Sequence, residues 1–288
     1  MVLAQRILLC SDLDRTIIPN GIQQESAPAR PVFRRIAEHP DICLAYVSGR
    51  DKKLILDAIK EFYLPVPQYV IGDVGTTLYQ IAKGIWHLSE DWSREIGQDW
   101  KGLDWAERTE IIADIKEIRL QESEKQNQYK LSYYTEAGAD HQKLMKIIQE
   151  RFAQRGVRVG IVWSVDEMDK AGLLDILPSR ANKLHAIQFL MQKEKFSEKR
   201  TVFAGDSGND VAVLTSGLQA ILVKNAADDV RREVIEILSK KQLTDRLYLP
   251  RGNFFGMNGN YAAGVLEGLA HFIPETGAWI AGALEQGK

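Results

Sequence analysis

The sequence predicts an α/β protein: a parallel sheet with helices on both faces, interrupted by an inserted α+β layer. Two observations carry that prediction. Continuous apolar runs, each ending in a polar loop and followed by a helical repeat, occur near both ends of the chain, as Ile7–Cys10, Ile42–Val47, Thr201–Ala204 and Ala220–Val223. Strands buried on both faces of a parallel sheet read this way. Between them, from Thr77 to about Asp175, the pattern changes to a hairpin, alternating strands and amphipathic helices, and five of the six tryptophans fall there (86, 92, 100, 105 and 163).

In chain order, Ile7–Cys10 is too short for a lone helix and reads as a buried central strand that stops at Asp12 and Asp14. Pro19-Asn-Gly21 marks a turn, and Pro31 opens a short helix to His39. The strand Ile42–Val47 then ends at Ser48-Gly-Arg50. Strand, helix, strand is a βαβ unit and requires a parallel pair. A helix follows from Lys53 to Phe62, with Leu54, Ile55, Ala58, Ile59 and Phe62 at helical spacing, and Tyr69–Ile71 is a third strand. Thr77–Ile81 and Ile85–Leu88 flank Ala82-Lys-Gly84 as a hairpin. The inserted layer is expected to hold helices around Ile111–Ile118 and Leu144–Phe152, strands at Tyr129–Tyr134 and Val157–Val165, and an aromatic core of its own. From Leu173–Leu177 the parallel pattern is expected to resume, with a helix opened by Lys183, strands at Thr201 and Ala220, and helices at Asp228–Ser239 and Tyr261–Phe272. The tail from Pro274 reads as marginal structure. The domain expectation is a discontinuous core of residues 1–82 and 177–288 around an insert of residues 83–176.

Composition narrows the function. With 288 residues, 45% hydrophobic and 26% charged, the chain is that of a globular protein of one large or two smaller domains. A net charge of −2 leaves no basic footprint for nucleic acid or an acidic membrane surface. No stretch approaches a membrane span, so the expected location is the cytoplasm. Cys10 and Cys43 fall inside apolar runs and read as core residues. The five histidines lack a paired ligand spacing.

The chemistry gathers where the strands end. In open α/β sheets that edge takes the ligand, and it receives Asp12, Asp14, Ser48, Lys183, Asp206, Asn209 and Asp210. Each residue also has a bland reading. One Asp could cap a helix, Ser48 could be a plain helix N-cap, and Lys183 a solvated lysine. Together they are harder to dismiss. Several carboxylates around one point need a cation, and an all-oxygen set suits Mg²⁺ rather than zinc. Ser48, the backbone at Gly49, Lys183 and helix N-termini are phosphate-oxygen donors. A metal site beside an anion site, with a carboxylate free to attack, is an arrangement for phosphoryl transfer through an aspartyl phosphate.

Asp12-Leu-Asp-Arg-Thr16, Ser48-Gly-Arg50, Lys183 and Gly205-Asp-Ser-Gly-Asn-Asp210 resemble, in order, the four motifs of the haloacid dehalogenase superfamily. The insert is similar to the larger α+β cap of its Cof-like branch. Further stretches, Gln126-Asn-Gln-Tyr-Lys-Leu-Ser132, Leu177-Pro-Ser-Arg-Ala-Asn-Lys183, Val223-Lys-Asn-Ala226 and Ala262–Phe272, resemble the sucrose-6-phosphate phosphatase family over nearly the whole chain. Arg15 stands where that superfamily has a small or amide residue, and Leu184 where it has Gly.

The resemblance implies a Rossmann-like core with an α+β cap and a Mg²⁺-dependent phosphatase. Asp12 would be nucleophile and Asp14 general acid, then base. Asp12, Asp14, Asp206 and Asp210 would form the metal site, and Ser48, Gly49, Lys183 and Asn209 would hold the phosphoryl oxygens. The expected substrate is sucrose 6-phosphate, with other phosphorylated glycosides such as mannosyl- or glucosyl-glycerate phosphate or trehalose phosphate as alternatives. Association with a sucrose-phosphate synthase is a further expectation. A metal-free dehalogenase should lack Asp14, and a non-catalytic synthase partner should have lost a carboxylate. The sugar should be read by the polar run Glu124–Lys130, chiefly by Gln128 and Lys130, although such a run could equally be a solvated loop.

Overall fold

A computed structural model describes residues 6–136, 138–166 and 171–286. The chain forms two compact units, residues 1–88 with 186–288, and residues 89–185. The first part of unit one comprises β1 (Ile7–Ser11), α1 (Ala29–Ala37), β2 (Ile42–Val47), α2 (Lys52–Glu61), β3 (Tyr69–Gly72), β4 (Thr77–Ala82) and β5 (Ile85–Leu88). Unit two holds α3 (Glu90–Gly97), α4 (Trp105–Glu110), β6 (Arg119–Leu120), β7 (Leu131–Glu136), α5 (His141–Gln154), β8 (Val159–Asp166) and β9 (Ala171–Pro178). Helix α6 (Lys183–Glu194) carries the chain across the division at His185 and Ala186. Unit one then continues through β10 (Thr201–Gly205), α7 (Val211–Leu214), β11 (Gln219–Leu222), α8 (Asp228–Lys241), β12 (Leu247–Tyr248), α9 (Ala262–Phe272) and α10 (Glu275–Glu285).

Unit one is built on a sheet of order β12-β11-β10-β1-β2-β3-β4-β5. The pairs from β12 through β3 are parallel, and β4 and β5 add antiparallel at one edge. Every residue of β1, β2 and β10 is buried, as the unbroken apolar runs require. Helix α1 buries Ala29, Val32, Phe33, Ile36 and Ala37, one face at helical spacing. These residues join Ile7, Leu9 and Leu44 of the sheet and Val265 and Leu266 of α9 in one core. The Asp51 carboxylate caps α2 by accepting the Leu54 N–H at 2.8 Å.

Unit two contains an antiparallel sheet, β6-β7-β9-β8. Leu144, Ile148 and Phe152 of α5 close over Leu131, Tyr133, Leu174 and Ile176, with Trp100 in the same core. Trp92 is fully buried as well, and Trp100 serves the unit's own interior. Trp163 stacks on His141 with centroids 4.2 Å apart.

Three elements differ from expectation. Leu173–Leu177 does not resume the parallel sheet but lies within β9, between β7 and β8. Its buried residues alternate with half-buried ones at first, and an apolar composition alone does not tell a one-faced from a two-faced strand. The helix expected at Ile111–Ile118 ends at Glu110, and the chain continues through turns that still bury Ile112 and Ile115. The tail from Pro274 is ordered as α10, which buries Thr276, Ile280 and Ala283, while Trp279 stacks on His39 at 3.6 Å. Packing on α1 and α9 gives that glycine-containing segment a helix its composition did not announce. Among the described residues, no helix is long and apolar enough to cross a membrane.

Candidate active site

Strands β10, β1 and β2 are parallel neighbours, with Ser11 opposite both Ala204 and Tyr46. Their C-terminal ends therefore deliver Asp206, Asp12 and Ser48 side by side. The Asp12 N–H extends the ladder to the Ala204 carbonyl at 2.9 Å, so its place is set by sheet register rather than by a flexible loop. Asp210 arrives from the short turn Gly208–Asp210 and is fully buried. Its Oδ2 accepts the N–H groups of Asp206 and Ser207 at 3.1 and 3.2 Å, which closes the loop upon itself. A Cβ at Gly205 would lie 2.6 Å from the Asp210 carboxyl, so only glycine admits this closure.

The outcome is a cluster of Asp12, Asp206 and Asp210, all buried, whose candidate ligand oxygens lie within 4.8 Å of one another. Carboxylate oxygens gathered at that spacing fit a hard divalent cation such as Mg²⁺, and the absence of sulfur or imidazole from the set disfavours zinc. Bound there, the cation would supply positive charge to phosphoryl oxygens.

Asp14 stands apart from that cluster. Its carboxylate is clamped by Arg50, whose Nε and Nη2 donate to Oδ2 and Oδ1 at 2.8 and 2.6 Å, and by Asn20 Nδ2 at 2.7 Å. The bidentate bond to Asp14 raises Arg50 above its ordinary range. Asp14 is partly exposed, so it has room to leave this clamp. Asn20 also accepts the Arg15 N–H at 2.8 Å, and Asn225, buried, donates to the Arg15 carbonyl at 2.6 Å and accepts the Tyr261 N–H at 2.7 Å. Thr16 Oγ1 donates to Asp206 Oδ1 at 3.1 Å. These supports were not singled out as site residues in the sequence, although Arg50 and Asn225 lie in stretches that carried the resemblance.

Ser48 is buried, its N–H bonds to the Ile71 carbonyl at 2.8 Å, and its Oγ accepts the Arg50 N–H at 3.2 Å. Capping of α2 falls to Asp51, which leaves the Ser48 hydroxyl proton without an acceptor among the described residues. Gly49 faces open space, since a Cβ there would meet nothing within 4 Å. The Asn209 side chain is exposed and its Oδ1 accepts Ser207 Oγ at 3.0 Å. Lys183 opens α6 and is buried. Just before it, Asp99 accepts Ser179 Oγ, the Arg180 N–H and Arg180 Nε at 2.8 to 2.9 Å, anchoring that segment within unit two.

In the polar run, Gln128 is exposed and Lys130 buried. Gln126 is structural. Its Nε2 donates to the Gln121 and Ser132 carbonyls at 3.1 and 2.9 Å, and its Oε1 accepts the Ser132 N–H at 2.8 Å.

A largely parallel sheet with an α+β unit inserted in the chain is the fold of the haloacid dehalogenase superfamily. A solved example, the sucrose-phosphatase from Synechocystis sp. in complex with sucrose and phosphate, matches with a TM-score of 0.70 over 93% of this chain and 98% of that one, at 23% identity. The chain belongs to the sucrose-6F-phosphate phosphohydrolase family, whose model matches residues 5–273. A protein of Nitrosococcus oceani, named only for its HAD-like hydrolase class, is 57% identical over 276 residues, covering 96% of this chain and 74% of its own. The mannosylfructose-phosphate phosphatase of Agrobacterium fabrum is 29% identical over 268 residues, 92% of this chain and 96% of its own. Against the plant sucrose-phosphatases it matches, the chain spans about half their length.

Proposed function

We propose that this protein is a Mg²⁺-dependent phosphatase of phosphorylated sugars, with sucrose 6-phosphate as its substrate. The observation that carries the reading is the buried cluster of Asp12, Asp206 and Asp210 at the strand ends of a chain in a phosphatase family. In this reading the unit of residues 1–88 and 186–288 is the catalytic core and the unit of residues 89–185 the cap, in place of the division expected at residues 82 and 177, because β5 pairs with β4 in the core sheet and β9 runs to Pro178 in the other. An Asp12 carboxylate oxygen attacks phosphorus, the bond from phosphorus to the sugar oxygen breaks, and Asp14 gives that oxygen a proton. Asp14 then takes a proton from water, which attacks the phosphoaspartate, releasing inorganic phosphate and restoring Asp12. Ser48, the Gly49 backbone, Asn209 and Lys183 bind the phosphoryl oxygens, and the side chains of Asp12, Asp206 and Asp210 would hold the metal. Asp14 must exchange Arg50 for the leaving group to act, and its partial exposure supports that movement. Gln128 and Lys130 read the sugar.

A second reading keeps the chemistry and changes the sugar. The Agrobacterium relative covers nearly its own full length, which favours a mannosyl-fructose phosphate as the alternative substrate. Phosphate release from sucrose 6-phosphate, mannosylfructose phosphate and a small aryl phosphate, each with and without Mg²⁺, tests both. Preference for sucrose 6-phosphate by tenfold or more in kcat/KM is expected. Preference for the mannosyl substrate selects the second reading, and no Mg²⁺-dependent release from any of the three overturns both. A sugar-phosphate synthase is the partner this reading implies, to be sought by co-purification.

A further inference from the structure

Arg15 interrupts the chemistry of its own loop. It follows the Asp12–Asp14 pair directly and adopts a left-handed backbone, φ 55°, where a residue with a long side chain is uncommon. Two side chains hold it there: Asn20 Oδ1 accepts its N–H and Asn225 Nδ2 donates to its carbonyl. The guanidinium extends to the carboxylate cluster, with Nε 3.5 Å from Asp206 Oδ2 and Nη2 3.5 Å from the Asn225 carbonyl. Asp206 is buried while the Arg15 side chain is 44% exposed. One partner is therefore fixed and the other has solvent to move into.

We propose that Arg15 is a displaceable counter-cation that competes with the divalent metal for Asp206. The inference rests on the reading of Asp12, Asp206 and Asp210 as a Mg²⁺ site. Like-charged carboxylates at this spacing repel one another, and a cation is needed to keep them assembled. Without metal, Arg15 offsets part of that repulsion at Asp206. When metal takes the Asp206 oxygen, two cations would share one carboxylate, and the exposed guanidinium is the one that can withdraw to water at little cost. The arrangement exchanges metal affinity for an assembled metal-free site. A small or amide residue at this position cannot make that exchange.

The test is Mg²⁺ binding by calorimetry to the full-length wild-type protein and to R15Q, R15N and R15K. R15Q removes the charge at similar length, and R15N removes it with a residue that tolerates the left-handed backbone, so one of the pair serves if the other misfolds. Both neutral variants are expected to bind Mg²⁺ about three- to tenfold more tightly than wild type, which corresponds to about 0.7–1.4 kcal/mol. R15K is expected to stay near wild type. Affinity that is unchanged or weaker in R15Q and R15N overturns the proposal while leaving the metal site standing. Failure of the wild-type protein itself to bind Mg²⁺ would instead overturn the functional reading beneath it.

Discussion

At the scale of single residues, the two acidic side chains of the first motif occupy different settings, and their substitutions should fail differently. Asp12 is fixed by the ladder in the buried cluster, whereas Asp14 is held by Arg50 and Asn20 at a partly exposed position. Asp12→Asn should abolish phosphatase activity with no phosphoenzyme formed. Asp14→Asn should slow turnover by several orders of magnitude and leave any phosphoenzyme that forms long-lived. Trapping with radiolabelled substrate distinguishes the two, and hydrolysis at a near-normal rate in Asp12→Asn would sink the covalent route. The cysteines make a separate prediction. Burial raises Cys43 from 9.0 to about 11 and Cys10 further. A thiol kept neutral by the fold ionises freely once unfolded. The stability it contributes is whole below pH 9 and is lost as pH rises towards 11, on the order of 2 kcal/mol for Cys43. Urea midpoints at pH 8 and pH 10.5 should show that fall, and Cys43→Ala should reduce it.

At the scale of elements, the helices of unit one show where small residues serve packing. A Cβ at Gly268 on α9 would meet three atoms of Ile221 on β11 at 2.5 to 2.8 Å, whereas one at Gly282 on α10 would meet nothing within 4 Å. Alanine is favoured over glycine in a helix by roughly 1 kcal/mol, and overpacking against a stiff, β-branched neighbour costs about 1–3 kcal/mol. Overpacking should win at Gly268 and propensity at Gly282. Gly268→Ala is expected to lower the thermal midpoint by several degrees and Gly282→Ala to hold or raise it. In unit two, the polar run divides by role. Gln126→Ala removes three bonds that pin the chain around Ser132 and should destabilise the protein by about 1–3 kcal/mol. Gln128→Ala leaves the fold intact and should lower kcat/KM for sucrose 6-phosphate about ten- to hundredfold, with a much smaller effect on an aryl phosphate. Equal losses on both substrates would move Gln128 from reading the sugar to supporting the fold.

At the scale of the whole molecule, a ligand that binds the folded protein alone stabilises all of it. Mg²⁺ at ten times its dissociation constant should add about 1.4 kcal/mol. The thermal midpoint should therefore climb with Mg²⁺ and return on addition of EDTA, and this dependence should vanish in Asp206→Asn. A midpoint indifferent to Mg²⁺ in the wild type would argue against the cluster as a metal site. The same experiment addresses assembly, because the cluster draws on β1, β10 and the turn after it, segments nearly two hundred residues apart that only the finished sheet brings together.

The sequence by itself determined the central parallel strands and which polar residues stand at their C-terminal ends. Unbroken apolar runs such as Ile7–Cys10 and Ile42–Val47 can be buried only on both faces, and a polar residue that ends such a strand must surface at the sheet's edge. Asp12, Ser48 and Asp206 were legible for that reason. The partners were not. That Asp14 faces Arg50 rather than the other carboxylates, that Asp210 closes its own loop over Gly205, and that Asn225 supports Arg15 are contacts between segments distant in the chain or turned by loop geometry, and no local pattern encodes them. The register of Leu173–Leu177 and the order of the last helix likewise depended on what lay opposite them. An apolar residue announces that it will be buried; only the tertiary structure decides against what.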